Sequence, residues 1–157
     1  MTPPSIADHA PEALLNWTCM DAFKAAPIER IAVAKSGLPA RWVKLALGDF
    51  MLGCGRELST LKLSQRGIGR MAAIGARLSV GRSECALGIA VLIGQIETMV
   101  RASGEPAEFN ASNWFAQWVT SPLPALSGER PIEYLDTWDG RVVLSRLLAQ
   151  MQSSAYV

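Results

Sequence analysis

A chain of 157 residues, half of them apolar, has the length for one domain or two small ones and the hydrophobic content to bury a core, which separates it from disordered and fibrous sequences. Three widely spaced cysteines without a C-x-x-C pair, and a single histidine, leave neither a disulfide framework nor a zinc site to expect. The formal net charge of +1 conceals a split, with six basic residues against Glu57 alone between Arg56 and Arg82, and six acidic residues against Arg130 alone between Glu105 and Asp139. Either both stretches are solvated faces, or a basic middle and an acidic later third do different jobs.

Residues 1–10 carry Pro3 and Pro4 and no periodic pattern, so no regular element is expected there. No basic segment precedes an apolar one, no secretory signal is read, and a cytosolic location is expected. His9 stands without an orienting partner and reads as a surface residue. Two short helices follow, over Ala10–Phe23 and Ile28–Lys35, the second starting after Pro27 and stopping at Ser36-Gly37, where glycine supplies a left-handed end. They either brace the domain behind them or mediate dimer contacts.

Pro39 starts a helix through Trp42, Val43, Leu45, Ala46 and Leu47, and a second short helix covers Cys54 to Leu61. Ser64 then caps a helix from Gln65 to Ile74 that turns Ile68, Met71 and Ala72 inward and places Gln65, Arg66 and Arg70 on its outer face. This is a helix-turn-helix layout, in which Gln65, Arg66, Arg70 and Arg77 would contact DNA, in keeping with the local basic excess. Gly67 and Gly69, each costing about 1 kcal/mol against alanine, predict a short or irregular recognition helix. The run Gly67-Ile68-Gly69-Arg70-Met71-Ala72 also matches the dinucleotide-binding fingerprint, but that motif needs a strand before it, and LSTLKLSQR is a poor one.

Ser79 caps a long helix over Val80–Ala102. Its most apolar run, Cys85–Gly94, is about half of the roughly 20 residues a bilayer requires, so burial between neighbouring helices or in a dimer seam is expected, and no membrane partner. Gly88 and Gly94, six apart, either admit neighbours or loosen the helix. A polar connection over Gly104–Ser112 leads to a helix ending near Val119, and Ser121–Gly128 forms a stiff loop because each proline fixes φ and restrains its predecessor. Pro131 starts a one-turn helix, and Thr137 caps the last helix by accepting from the Gly140 N–H. There Val143, Leu144, Leu147, Leu148 and Met151 form the core stripe, with Arg141, Ser145, Arg146 and Gln150 off it. Trp138 and Val142 form a second apolar patch that either another part of the chain or a partner covers. Glu129, Glu133 and Asp136 lie beside helix starts, where carboxylates serve the helix dipole. No nucleophile–base pair, metal cluster or phosphate loop is found, so no enzymatic activity, metal or cofactor is expected.

Three stretches carry a family resemblance: Leu63-Ser64-Gln65-Arg66 through Arg77-Leu78-Ser79; Trp118 with Ser121–Leu135; and Thr137-Trp138-Asp139-Gly140-Arg141-Val142-Val143. In order and spacing they resemble the Xre/MbcA/ParS family of antitoxins over roughly Gly37–Val157, most strongly over the last forty residues. The chain is read as all-α: an N-terminal helical extension (1–36) that falls outside the resemblance, then, as the resemblance implies, a helix-turn-helix-like domain with its long helix (37–104) and a small helical toxin-binding domain (105–157). It implies a cognate RES-domain toxin, ADP-ribosyltransferase-like and NAD-using, held inactive by blockage of its active site. It further implies a homodimer within a toxin–antitoxin hetero-oligomer, and autoregulation through operator DNA. The family often has Asn before the second proline and Gly-Gly after the Ala-Leu pair; Leu123 and Ser127-Gly128 stand here and are expected to keep the turn.

On that basis the docking surface would comprise the stiff loop with Pro124 and Leu126, then Tyr134, Trp138, Arg141 and Arg146, residue types that dominate interface energetics. The tail Ser153–Val157 would enter the toxin's cleft, Tyr156 stacking in an apolar slot and the Val157 carboxylate pairing with an arginine. The alternative is a helix-turn-helix transcriptional regulator whose C-terminal region serves only dimerisation.

Overall fold

A computed structural model describes residues 16–104 and 108–154; His9, Tyr156 and Val157 lie outside the described residues. Seven α-helices and three 3-10 turns follow one another without a strand among the described residues, so the fold is all-α; the one β-type pairing is an isolated bridge between Pro39 and Arg77.

Helix ends follow local chemistry. The first helix, α1 (Cys19–Lys24), is fixed by a capping box, Thr18 Oγ1 accepting from Asp21 N at 3.1 Å and Asp21 Oδ2 from Thr18 N at 2.7 Å. Extended geometry at Thr18 keeps the helix expected over Ala10–Phe23 from running through this point. Helix α2 (Pro27–Ser36) has proline at its first position and ends on Gly37 at φ 83°. Helix α3 (Ala40–Cys54) runs a full two turns beyond Leu47, and the segment expected to be a short α-helix, Gly55–Leu61, is a 3-10 helix. Gly55 at φ 57° and ψ −128° breaks the α geometry there. Ser64 caps α4 (Gln65–Ala73) through Gly67 N, and Ser79 caps α5 (Val80–Ala102) through Arg82 N. Helix α6 (Ala111–Val119), 3-10 turns at Pro124–Leu126 and Pro131–Tyr134, and α7 (Trp138–Ser154) complete the chain.

Helix α5 is the strut. It is long and apolar enough to cross a bilayer, yet most of its side chains between Ser83 and Ile96 are buried against α1, α2, α3, α6 and α7. Two of its three glycines admit neighbours: a Cβ on Gly94 would collide with the Cys19 carbonyl, and one on Gly88 with the Arg141 guanidinium. Helices α1 and α2 therefore brace α5. On the other side α3 packs against α6, where Phe50, Phe115 and Trp118 stack with centroids 5.4 and 5.9 Å apart. Phe115 is fully buried, worth about 1.5–3 kcal/mol in apolar transfer. Buried polar groups are paired: Ser83 Oγ accepts from Leu38 N at 2.8 Å and donates to Leu78 O at 3.3 Å, while Gln95 Nε2 donates to Ser145 O at 3.0 Å and Ser145 Oγ returns a bond to Gln95 Oε1 at 2.8 Å.

Candidate functional site

The proline loop closes on itself. Leu123 N donates to Glu129 O at 3.0 Å, Gly128 N to Leu123 O at 2.9 Å and Ser127 N to Pro124 O at 3.0 Å, with Ser127 and Gly128 both left-handed at φ 57° and 86°. Pro124 is exposed on the outside of this turn. Leu126, expected to meet a partner, is instead turned under the loop and only 9% exposed, because the 3-10 turn directs it into the core. Beyond it, Tyr134 is half-buried and its hydroxyl donates to Glu129 Oε2 at 2.7 Å; that bond lifts the phenol above its ordinary range.

The two charge outliers of the sequence meet here. Arg130 pairs with Glu57 at 2.9 Å and with Glu133 at 3.3 Å, so the lone acid of the basic middle is joined to the lone base of the acidic end. The hydrogen bond and the charge of Arg130 hold Glu57 below the usual carboxylate range, and Glu57 in turn raises Arg130.

At the start of α7, Gly140 N donates to Thr137 Oγ1 at 3.0 Å, and Gly140 lies so close to the Tyr134 carbonyl that a Cβ would not fit. Arg141 corrects the expectation of an outward docking residue. It is 7% exposed, Nη1 donates to Leu135 O at 2.9 Å, and Nη2 meets Glu84 at 3.3 Å across the space left by Gly88. The core face of α7 is accordingly Gly140, Arg141, Leu144 and Leu148. Leu147 is half-buried, and Val143 and Met151, expected in the core, are 38% and 44% exposed. A buried arginine rotates the stripe away from the one that apolar residues alone would mark.

Trp138 is 66% exposed and stands on the rim of an open groove of about 620 Å³. One wall is α7, with Trp138, Arg141, Val142 and Ser145; the floor is α5, with Leu87, Gly88, Val91 and Leu92; the opposite wall is Pro27, Arg30, Ile31 and Ala34 of α2, with Phe23 of α1 beside them. The groove thus brings Trp138 and Arg141 together, whereas Pro124, Leu126, Tyr134 and Arg146 do not line it; Arg146 is exposed elsewhere on α7. The α2 wall and Glu84 were not singled out by the sequence. The exposed pair Ile28 and Ile31, three apart on one helix, was the available signal.

On α4, Gln65, Arg66 and Arg70 are exposed, while Ile68 is fully buried and Met71 and Ala72 half-buried. Arg77 is exposed as well, but its Nη1 donates to the Ser36 and Gly37 carbonyls at 3.1 and 3.3 Å, closing the end of α2. Arg82 is likewise engaged, with Nε and Nη2 on Lys62 O. The glycine-rich fingerprint follows a loop and enters α4, with no strand before it.

Residues 108–153 match the family described as the antitoxin Xre/MbcA/ParS C-terminal toxin-binding domain. A protein named Prs ADP-ribosylating antitoxin, from Sphingobium sp. (strain YBL2), is 40% identical over 134 residues, 85% of this chain and 84% of the relative.

Proposed function

The chain belongs to the Xre/MbcA/ParS family of antitoxins, and from that membership we propose that it silences a cognate toxin of the RES type, an ADP-ribosyltransferase-like enzyme that uses NAD, by covering its active site. The observation that carries this reading is Trp138, a large apolar side chain left 66% exposed inside the stretch that matches a toxin-binding domain. The word ADP-ribosylating in the relative's name accords with a toxin of this chemistry.

An enzyme that takes NAD needs an open cleft with polar and cationic groups, and a bound protein face denies the cleft to the dinucleotide without any turnover. Exposed Asp136 and Asp139, two residues before and one after Trp138 in the chain, give the antitoxin an acidic approach that would steer it toward such a cleft. The segment after Ser154 continues from the exposed end of α7 and would enter it.

The test uses the full chain, two variants and the toxin encoded by the adjoining reading frame. Trp138→Ala should retain its helical content and require at least tenfold more protein for half-inhibition; truncation after Ser153 should leave toxin bound but active. Equal potency of the truncated chain removes the plug. Loss of helix on Trp138→Ala would make Trp138 a packing residue.

Autoregulation rests on the exposed Gln65, Arg66 and Arg70 of α4, which would reach base edges and phosphates of an operator. An operator shift that weakens steeply with salt supports it, and none at low salt rejects it. In a homodimer, Leu45 and Leu52, exposed seven residues apart on one face of α3, would be the surface to bury.

A further inference from the structure

We infer that the toxin-docking surface crosses the groove and continues onto α2, where Ile28 and Ile31 form its second half and receive an apolar segment of the cognate toxin. The inference rests on the antitoxin reading above and adds a part of the chain that the matched domain does not include.

Continuity is the first argument. Trp138, Arg141, Val142 and Ser145 lie within residues 108–153, so one wall of the groove belongs to the toxin-binding domain itself. Nothing separates that wall from α2 except the floor of α5, and a partner covering Trp138 meets Ile31 on the opposite wall of the same groove.

The chemistry of the lining selects the kind of partner. Both arginines in the groove have internal partners: Arg30 Nη1 donates to the carbonyls of Ala22, Phe23 and Ala25 at 3.2, 3.1 and 3.0 Å, and Arg141 is held by Leu135 O and Glu84. Neither is poised for an anion. Apart from the Glu84 carboxylate, which Arg141 holds, what faces outward is hydrocarbon and indole: Trp138 at 66% and Ile31 at 50% exposure in the groove, and Ile28 at 60% beside it on α2. Scattered surface apolars need no explanation, but Trp138 and Ile31 on opposite walls of one groove, with Ile28 three residues before Ile31 on the same helix, mark an interaction site. The volume suits several apolar side chains from one helix or loop rather than a flat polar contact.

Ile28→Glu and Ile31→Glu in the full chain test this by titration calorimetry against the toxin, with circular dichroism and sedimentation of the free variants. The expected result is a Kd raised at least tenfold by each, with helical content and self-association unchanged. Wild-type affinity in both variants, with Trp138→Ala still weakened, confines docking to the C-terminal domain and overturns the inference while leaving the antitoxin reading intact. A change in self-association alone would make the groove a seam between copies and overturn it equally. Should a glutamate variant fail to fold, Ile31→Ala decides, with a severalfold loss expected and none contradicting. Wild-type protein that binds no toxin would remove the antitoxin reading and this inference together.

Discussion

Arg141 carries its charge into the helical core because three features, none sufficient alone, meet around it. Gly88 supplies the room, Leu135 O takes one Nη, and Glu84, still more than half exposed, takes the other at 3.3 Å. Removing the side chain leaves the Leu135 carbonyl with only the weak Cys85 thiol donor at 3.7 Å and opens a void. Arg141→Ala is therefore expected to lower unfolding stability by about 2–3 kcal/mol, read from the denaturant midpoint; an unchanged midpoint would contradict the clamp. The sequence offered no means of seeing this: Glu84 lies 57 positions away, and an arginine off an apolar stripe reads as solvated. Glu57 is a milder case of the same pairing. Its carboxyl is depressed when folded, so the stabilisation from Arg130 is present above the unfolded value near 4.5 and is lost as pH falls through the lower folded value. Both groups are partly exposed, so the effect is small and salt-screened, and Glu57→Gln should flatten the acid limb of the stability profile only at low ionic strength.

Among the elements, those whose boundaries are written locally were legible. Ser64, Ser79 and Thr137 each accept from the N–H three residues on, and Gly37 ends α2 at positive φ, as their identities dictate. The capping box at Thr18 was equally local and escaped notice, which misplaced the start of α1. The face a helix buries is another matter, since α7 turned by one buried arginine and Leu126 turned under its loop through tertiary packing. The proline loop shows the limit of a local motif. It keeps its turn with Ser127 at φ 57°, a conformation that costs a side chain about 1 kcal/mol and glycine almost nothing. Ser127→Gly should accordingly raise stability by about 0.5–1 kcal/mol with toxin affinity unchanged; destabilisation would mean that the serine hydroxyl holds the turn.

Across the whole molecule, α5 gathers helices from both ends of the chain, so that a groove unsuspected from periodicity alone opens between α2 and α7. Of the docking residues expected from sequence, Trp138 stands free on that groove, Arg141 supports it from within and Leu126 is buried. Pairwise closeness of distant helices is what the sequence does not carry, and here it is what forms the groove. The central claim is that this molecule acts by covering a toxin and not by turnover. It is tested most directly by titrating the purified chain into its cognate toxin while following NAD consumption. The account predicts activity falling to zero at a fixed molar ratio, and undiminished consumption at micromolar excess would contradict it.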